Sequence, residues 1–393
     1  MEWETRNVAF ASVGKRARSR GNVIVVIAGD FAWVAIPSAR LARFSSLGAL
    51  IGGMTSRRID ARVELEFLRA TEAAAIVSGK LVGRGDKNGV DQAAVDAMRG
   101  VLGEVDIDGI VVIGEGEKDE APMLYIGEHV GTGDGPRMDV AVDPIDGTTL
   151  ASKGGHGAIS VVAAAERGSL FHTHVAYMDK IIVGRACRGV VSIEATPAEN
   201  VQAVAKAMGR PIGEITVAVL ERPRNDELVR QLREIGTRVR LFGDGDIANG
   251  VIAAIEERSR IDMLMGIGGA TEGVVAACAV RCLGGDMQGR LWLREGEAEI
   301  AKSEGLDPSA VLTLDDLCRS DLAMLCATGV TDGELLQGVS YVRGSAYTQS
   351  IIISSLTHTT RMVDGKHDLR SFVSTSHLNG TTSSNLLKEH ATS

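Results

Sequence analysis

The chain has 393 residues, of which 45% are hydrophobic and 47 are glycine, enough apolar content for two or three domain-sized units. Only 4% is aromatic, so its packing must rest on Ala, Val, Ile and Leu. The net charge is −9, and since residues 1–58 carry nine Lys/Arg against three Asp/Glu, the remainder stands at −15, which argues against nucleic acid as the main partner and suits a protein that collects cations.

Residues 1–58 differ in texture from the rest of the chain. Arg6, Lys15, Arg16, Arg18 and Arg20 punctuate an acid-poor stretch that also holds Trp3 and Trp33. Asn22 to Ile36 is apolar but interrupted by Asp30, and is shorter than the ~20 apolar residues a membrane-spanning helix needs. The leader reads either as an organelle transit peptide or as sequence ahead of a true start at Met54, and on either reading it is expected to be disordered or poorly packed.

From Ile59 the pattern becomes regular. Apolar residues at helical spacing predict a helix over 64–82, then Gly83 to Asp91 is a glycine-punctuated loop with Asp91 at the front of a second helix, 92–98. Asp86 and Asp91 each read as a cap or as a ligand. A strand is predicted over 107–113, followed by Gly114-Glu-Gly-Glu-Lys-Asp-Glu-Ala-Pro122. Four acids in six residues there imply either a cation or a solvated turn. The third glycine of a dinucleotide fingerprint is absent, and Asp119 would repel a pyrophosphate.

The chain is organised around Met138-Asp-Val-Ala-Val-Asp-Pro-Ile-Asp-Gly-Thr-Thr149. Val140 to Val142 reads as a buried strand ended by Pro144, and Gly147-Thr148-Thr149 suits a turn into a helix. Asp143 and Asp146 leave the strand end together. Hard divalent cations take several oxygen ligands, and a helix start with free amides suits an anion, so this turn points to metal-assisted phosphoryl chemistry. An acidic turn with Thr148 as a cap is the plainer alternative.

Strands are predicted over 158–165 and 180–183. His172 and His174 share one strand face and, with no H-E-x-x-H, read as surface or packing residues. Three strand-to-loop-to-helix units come next, with strands 215–220, 237–242 and 262–267, which implies a ligand site beyond the carboxyl ends of their strands. Their loops offer Arg222 and Arg224 for phosphate, Asp244 and Asp246 for hydroxyls, and Glu272 for a metal or hydroxyl. A charged helix is expected over 293–306, strands over 323–327 and 350–354, and a disordered Ser/Thr/His-rich tail over 368–393. The five cysteines, Cys187, Cys278, Cys282, Cys318 and Cys326, show no C-x-x-C and read as free thiols in a reducing compartment, the cytoplasm unless the leader directs import.

Taken together, Gly83-Arg-Gly-Asp-Lys-Asn88, Val112-Ile-Gly-Glu-Gly-Glu-Lys-Asp-Glu-Ala-Pro-Met-Leu-Tyr-Ile-Gly127, Val142-Asp-Pro-Ile-Asp-Gly-Thr148, Glu221-Arg-Pro-Arg224, Asp244-Gly-Asp246, Gly266-Ile-Gly-Gly269 and Ala327-Thr-Gly-Val-Thr-Asp-Gly333 resemble the bacterial class II fructose-1,6-bisphosphatases. The D-P-I-D-G-T element alone points to the wider lithium-sensitive phosphatase superfamily, and the G-E-G-E-x-D-E-A-P-M-L-Y run narrows it. The resemblance spans about residues 60 to 367. It implies an α/β fold, a layered αβαβα sandwich of the sugar/inositol phosphatase type, with a metal-binding half over 59–195 and a sugar-phosphate-binding half over 196–367. It also implies Mg²⁺- or Mn²⁺-dependent removal of the 1-phosphate of fructose 1,6-bisphosphate, in a homo-oligomer, a dimer or tetramer. Sedoheptulose 1,7-bisphosphate and inositol monophosphates are the alternative substrates.

Carried over position by position, metal ligands would be Asp91, Glu115, Asp143, Asp146 and Glu272. Substrate contacts would be Asp146, Gly147, Thr148, Tyr177, Arg222, Arg224, Asp244, Gly245, Asp246 and Gly269. Thr148 would orient the attacking water, and Asp119 would either take its proton or position a metal. Lys87 fits an ion pair or a phosphate contact. The sequence departs from the family where Thr271 replaces the Pro that many members have before the acidic ligand, which leaves the rigidity of that loop open.

Overall fold

Runs of small β-branched and alanine residues, with helices spaced between them, build a mixed α/β fold with two mixed sheets. A computed structural model of the chain describes residues 22–25, 34–37, 61–116, 123–255 and 260–375. Met1–Arg58 and Ile59–Ser393 form two separate units. In the first, β1 (Asn22–Val25) and β2 (Val34–Pro37) make an antiparallel pair. The rest of that leader lies outside the described residues.

The first sheet of the larger unit is built from β3 (Asp108–Ile113), β4 (His129–Val130), β5 (Arg137–Asp146), β6 (Ile159–Glu166), β13 (Ala323–Gly329), β14 (Ser340–Val342), β15 (Ser345–Ser354) and β16 (Thr359–Asp368). Their order is β14-β15-β13-β6-β5-β3-β4, with β16 paired to β15. Only β3 and β5 run parallel, among the pairings on that path. The second sheet comprises β7 (Tyr177–Val183), β8 (Thr216–Leu220), β9 (Arg238–Phe242), β10 (Met263–Gly269), β11 (Asp286–Trp292) and β12 (Leu312–Thr313), in the order β12-β11-β7-β10-β8-β9. The three strand-loop-helix units appear as the parallel trio β10-β8-β9. Sheet membership crosses the expected boundary at 195: β7 belongs with the second sheet, and β13 to β16 return to the first.

Three apolar clusters hold these elements. Phe67, Ile76, Met98 and Leu102, from helices Ala61–Ser78 and Lys87–Leu102, pack on Val140, Val142 and Val162. The opposite-facing residues Ala141, Val161 and Ala163 share a second cluster with Ile247, Val274 and Cys278, from helices Asp246–Ala254 and Ala270–Leu283, and with Met178 and Ile182 of β7. Ile181, Val217 and Val219 form a third with Val201 and Leu232, from helices Pro197–Met208 and Asp226–Ile235. Residues of adjacent positions, such as Ala141 and Val142 or Ile181 and Ile182, fall in different clusters because strand side chains alternate faces. The five cysteines are free, and Cys278 sits wholly in the core.

Four local expectations are corrected. Pro144 does not end its strand: β5 runs on to Asp146, with an irregularity in its pairing to β6 between Asp143 and Asp146 that accommodates a residue with no N–H for the ladder. The second helix begins at Lys87, because Asp86 caps it by accepting the Gly89 N–H at 2.9 Å, so Asp91 lies inside the helix rather than at its front. The charged helix shrinks to Ala298–Ser303. Residues Leu369–Thr375 of the expected tail are helical, and 376–393 lie outside the described residues.

One carboxylate away from the acidic motifs titrates unusually. Glu72, buried in helix Ala61–Ser78, is pushed up from 4.5 to about 7, chiefly by burial and against the lowering pull of its Thr348 hydrogen bond and of Arg69. A raised folded pKa gives stability that is full below pH 4.5 and is lost as the pH climbs through about 7. Glu72→Gln keeps an acceptor for the Thr348 hydroxyl and removes the charge. We expect its thermal midpoint to match wild type near pH 5 and to exceed it at pH 8.5, by an amount on the order of 3 kcal/mol in stability.

Candidate active site

Val140 to Val142 place β5 inside the first sheet, between β3 and β6, and the first residue beyond that run is Asp143. Glu115 follows the end of β3, which is parallel to β5, so both carboxylates emerge at the same end of adjacent strands. Asp91 reaches Glu115 from the helix above by a side-chain hydrogen bond. Glu272 comes from the first turn of helix Ala270–Leu283, where the Thr271 hydroxyl donates to its Oε2 at 2.7 Å. That bond restrains Glu272 in the stretch whose rigidity the sequence leaves open. Glu115, Asp143, Thr271 and Glu272 line a cavity of about 150 Å³ with Ile113, Val142, Ile247 and Val275 as its apolar walls.

These carboxylates crowd one another. Burial first, then the charges of Asp146, Glu115, Glu272 and Asp91, hold Asp143 well above the usual carboxylate range. Glu115 is pushed up to about 8 by burial, then by the charge of Asp91 and the hydrogen bond between them. Burial likewise raises Asp91, against the lowering pull of that same bond and of Lys87. Among the described residues no group of three or more His, Cys, Asp or Glu is arranged as a finished metal cage. Asp91 is hydrogen-bonded to Glu115 and Glu272 to Thr271, and what these acids share with Asp143 is mutual repulsion.

Asp146 joins this cluster to the loops of the second sheet. Buried, it accepts the Ala248 N–H at 3.1 Å, and its pKa is raised well above normal by burial and by Asp246, Glu272 and Asp244, the Ala248 bond opposing them. Gly147 precedes helix Thr148–Lys153; the Thr148 hydroxyl donates to the Ile145 carbonyl at 3.0 Å, and the Thr149 N–H donates to Asp244 at 3.3 Å. Gly245 heads helix Asp246–Ala254.

At the carboxyl end of β8, Arg222 donates to the carbonyls of Glu221 and Gly243 at 2.8 and 2.6 Å and stands 4.0 Å from Asp244. Arg224 donates to the Ile267 carbonyl at 3.2 Å and lays its guanidinium over the Tyr177 ring, 4.1 Å from the centroid. Tyr177 is register-paired with Gly269 on one side and Trp292 on the other. Gly269 is the joint between the two groups: its N–H donates to Asp246 at 3.1 Å, and a Cβ built on it would overlap the Glu272 carboxylate.

Gly269→Ala therefore makes a specific prediction. The atoms displaced are the far end of a flexible side chain, so the thermal midpoint should barely move. Turnover should fall by about 10- to 100-fold, because Glu272 is driven out of place. Paired melting and phosphate-release measurements check this; a large loss of midpoint would assign Gly269 a folding role instead.

Every expected site residue in the described part belongs to one of these two connected groups, and Asp119 lies outside the described residues. His172 and His174 meet edge to face at 4.7 Å, and His174 is paired to Glu304. Sequence reasoning missed Lys180, Trp292 and Arg294. Arg294 lies 5.3 Å from the Tyr177 ring centroid and Trp292 meets that ring edge to face at 5.9 Å. The available signal for Lys180 was a lysine inside an apolar strand, a position that requires a partner.

Comparison with known proteins gives the chain a family. Residues 61–367 match the family model described as bacterial fructose-1,6-bisphosphatase, glpX-encoded. The chain is 44% identical over 319 residues to fructose-1,6-bisphosphatase 1 class 2 of Escherichia coli (strain K12), covering 78% of this chain and 95% of that protein. Identity and coverage are the same for the fructose-1,6-bisphosphatase class 2 of E. coli O6:H1 and of Shigella flexneri. The chain belongs to the bacterial class II fructose-1,6-bisphosphatase family.

Proposed function

We propose that this chain removes the 1-phosphate of fructose 1,6-bisphosphate, giving fructose 6-phosphate and phosphate in gluconeogenesis. The observation that carries the reading is the meeting of Asp91, Glu115, Asp143, Asp146 and Glu272 in one mutually repelling cluster beside Thr148. Such a set of hard carboxylate oxygens, crowded together by burial and mutual repulsion, fits Mg²⁺ or Mn²⁺. These five residues would hold it, with 59–195 supplying all but Glu272, and the sugar-phosphate contacts would come from 196–367 together with Asp146, Gly147, Thr148 and Tyr177 of the first half. When bound, such a cation supplies Lewis acidity toward the phosphate and toward water.

The chain's own groups do the rest. The Thr148 hydroxyl has its proton committed to Ile145, so its oxygen is left to accept from a water and aim it at phosphorus. The water oxygen bonds to phosphorus as the bond from phosphorus to the C1 oxygen breaks; the water gives up a proton and the departing oxygen gains one. Arg222, Arg224 and Tyr177 would hold the distal phosphate, Asp244 and Asp246 would accept from sugar hydroxyls, and the backbone at Gly147, Gly245 and Gly269 would approach the ligand closely. Asp119 is assigned to the proton or to a metal.

The three apolar clusters support an αβαβα layering, with one helix pair between the sheets and one outside each. No helix among the described residues is long and apolar enough to cross a membrane. Free thiols suit a cytoplasmic site, and sizing the intact chain separates a monomer from the expected dimer or tetramer.

The deciding experiment is phosphate release from fructose 1,6-bisphosphate with Mg²⁺ or Mn²⁺, with and without lithium, run beside sedoheptulose 1,7-bisphosphate and inositol monophosphate. Preferred release from fructose 1,6-bisphosphate supports the reading. Preferred release from either of the other two moves the assignment to that substrate.

A further inference from the structure

Lys180 stands where an apolar side chain would be the ordinary choice. It lies in β7, which is hydrogen-bonded to β10 on one side and β11 on the other, and it is 2% exposed. A buried ammonium persists only where its protons and its charge are matched. Here Nζ donates to Asp246 Oδ2 at 2.5 Å and to the Gly269 carbonyl at 2.9 Å, and the same Oδ2 accepts the Gly269 N–H at 3.1 Å. The strand beneath is shaped to this pair: a Cβ on Gly268 would overlap Asp246 Oδ2 and sit 2.7 Å from the Lys180 nitrogen.

The arrangement has a consequence for the neighbouring acids. Asp246 is close enough to Asp146 to act on its charge, as Asp244 and Glu272 do, yet it is the one with a buried cation bonded to it. The bonds all run to Oδ2, so Oδ1 takes no part in them.

We infer that Lys180 is a positioning residue for the sugar. By binding Asp246 Oδ2 and the Gly269 carbonyl it fixes the hydroxyl-accepting carboxylate to the end of β10, and by balancing the charge of Asp246 it keeps that residue out of the cation-binding set. Lys180 sorts the acids of the site into two classes, one that gathers cations and one that reads hydroxyls. This rests on the reading of Asp246 as a sugar contact.

The test is steady-state phosphate release from fructose 1,6-bisphosphate at saturating Mg²⁺, with melting curves, for wild type, K180M, D246N and the K180M/D246N double variant. K180M should raise KM by about tenfold or more while kcat stays within about threefold, the split expected when a ground-state contact is loosened. The double variant, in which neither a buried ammonium nor a buried carboxylate remains, should have the KM of D246N alone, because Lys180 acts through Asp246. If K180M does not fold, that equality carries the proposal. A K180M enzyme with unmoved KM and only a lowered midpoint overturns it, and so does a double variant whose KM multiplies the two single effects. Wild type that releases no phosphate from fructose 1,6-bisphosphate overturns the substrate reading and this inference with it, whereas active wild type beside an unmoved K180M overturns the inference alone.

Discussion

Asp143→Asn is expected to lose activity and gain stability at once. Because Asp143 is one of the five proposed cation ligands, its loss should lower turnover by roughly a hundredfold to a thousandfold, the scale seen when one preorganised electrostatic group is deleted from a reacting centre. The gain has the opposite origin. Asp143 is held well above its ordinary pKa by burial and by the charges of Asp146, Glu115, Glu272 and Asp91, so its ionised form is a burden on the metal-free fold. A raised folded pKa means stability that is full at low pH and lost as pH rises through the raised value. In chelator the asparagine variant should therefore melt about 2 to 5 °C above wild type at pH 8, with a smaller difference at pH 5.5. Added Mg²⁺ should reverse the order, since wild type gains the linkage stabilisation of a bound ligand and the variant gains less. Wild-type turnover in the variant would remove Asp143 from the reaction. A lower midpoint in chelator would mean its carboxylate is structural.

How much of this was readable beforehand depended on whether a feature is local. The D-P-I-D-G-T turn, the loop after β3 and the three loops after β8, β9 and β10 are local, since each is a strand end followed by polar residues. Period and composition place the loops after β3, β8, β9 and β10 within a residue or two but end β5 too early, at Val142 instead of Asp146. Pairing over long distances is not local. Nothing in the apolar texture of 323–354 says that these strands return to the first sheet beside β6, over 150 residues earlier in the chain, and β16 is too exposed to announce itself as a strand at all.

The site shows the same divide. Asp86 and Asp91 were equivalent in the sequence because either acid fits a helix start. The bond from the Gly89 N–H makes Asp86 the cap and leaves Asp91 inside the helix, where it meets Glu115. Pro144 was misleading for a related reason. A proline argues against a continuing ladder only when its strand is regular, and the irregularity between Asp143 and Asp146 supplies the exception, at the point where two carboxylates must be aimed. The Lys180 pairing with Asp246 spans 66 residues and so had no local signature beyond a lone charge in an apolar strand.

Thr148→Ala is expected to lower kcat by about a hundredfold while leaving KM within about threefold. The reason is the direction of one hydrogen bond. The Thr148 hydroxyl gives its proton to the Ile145 carbonyl, a backbone group of the turn that also carries Asp146. With the donor used, the oxygen presents lone pairs only, and a water that donates to it is held with its own oxygen lone pair free to attack. On the proposed reading, substrate affinity would come instead from the guanidinium groups of Arg222 and Arg224 and from Asp244 and Asp246, none of which the substitution removes. Thr148→Ser keeps the oxygen and should recover most of the lost turnover, which a role in packing by the threonine methyl would not allow. Phosphate-release kinetics on the three enzymes, with melting curves to confirm that each is folded, decide the matter. An alanine variant with unchanged kcat would leave the water to be oriented by some other group, and one that loses affinity and turnover together would make Thr148 a contact to the bound phosphate rather than to the attacking water.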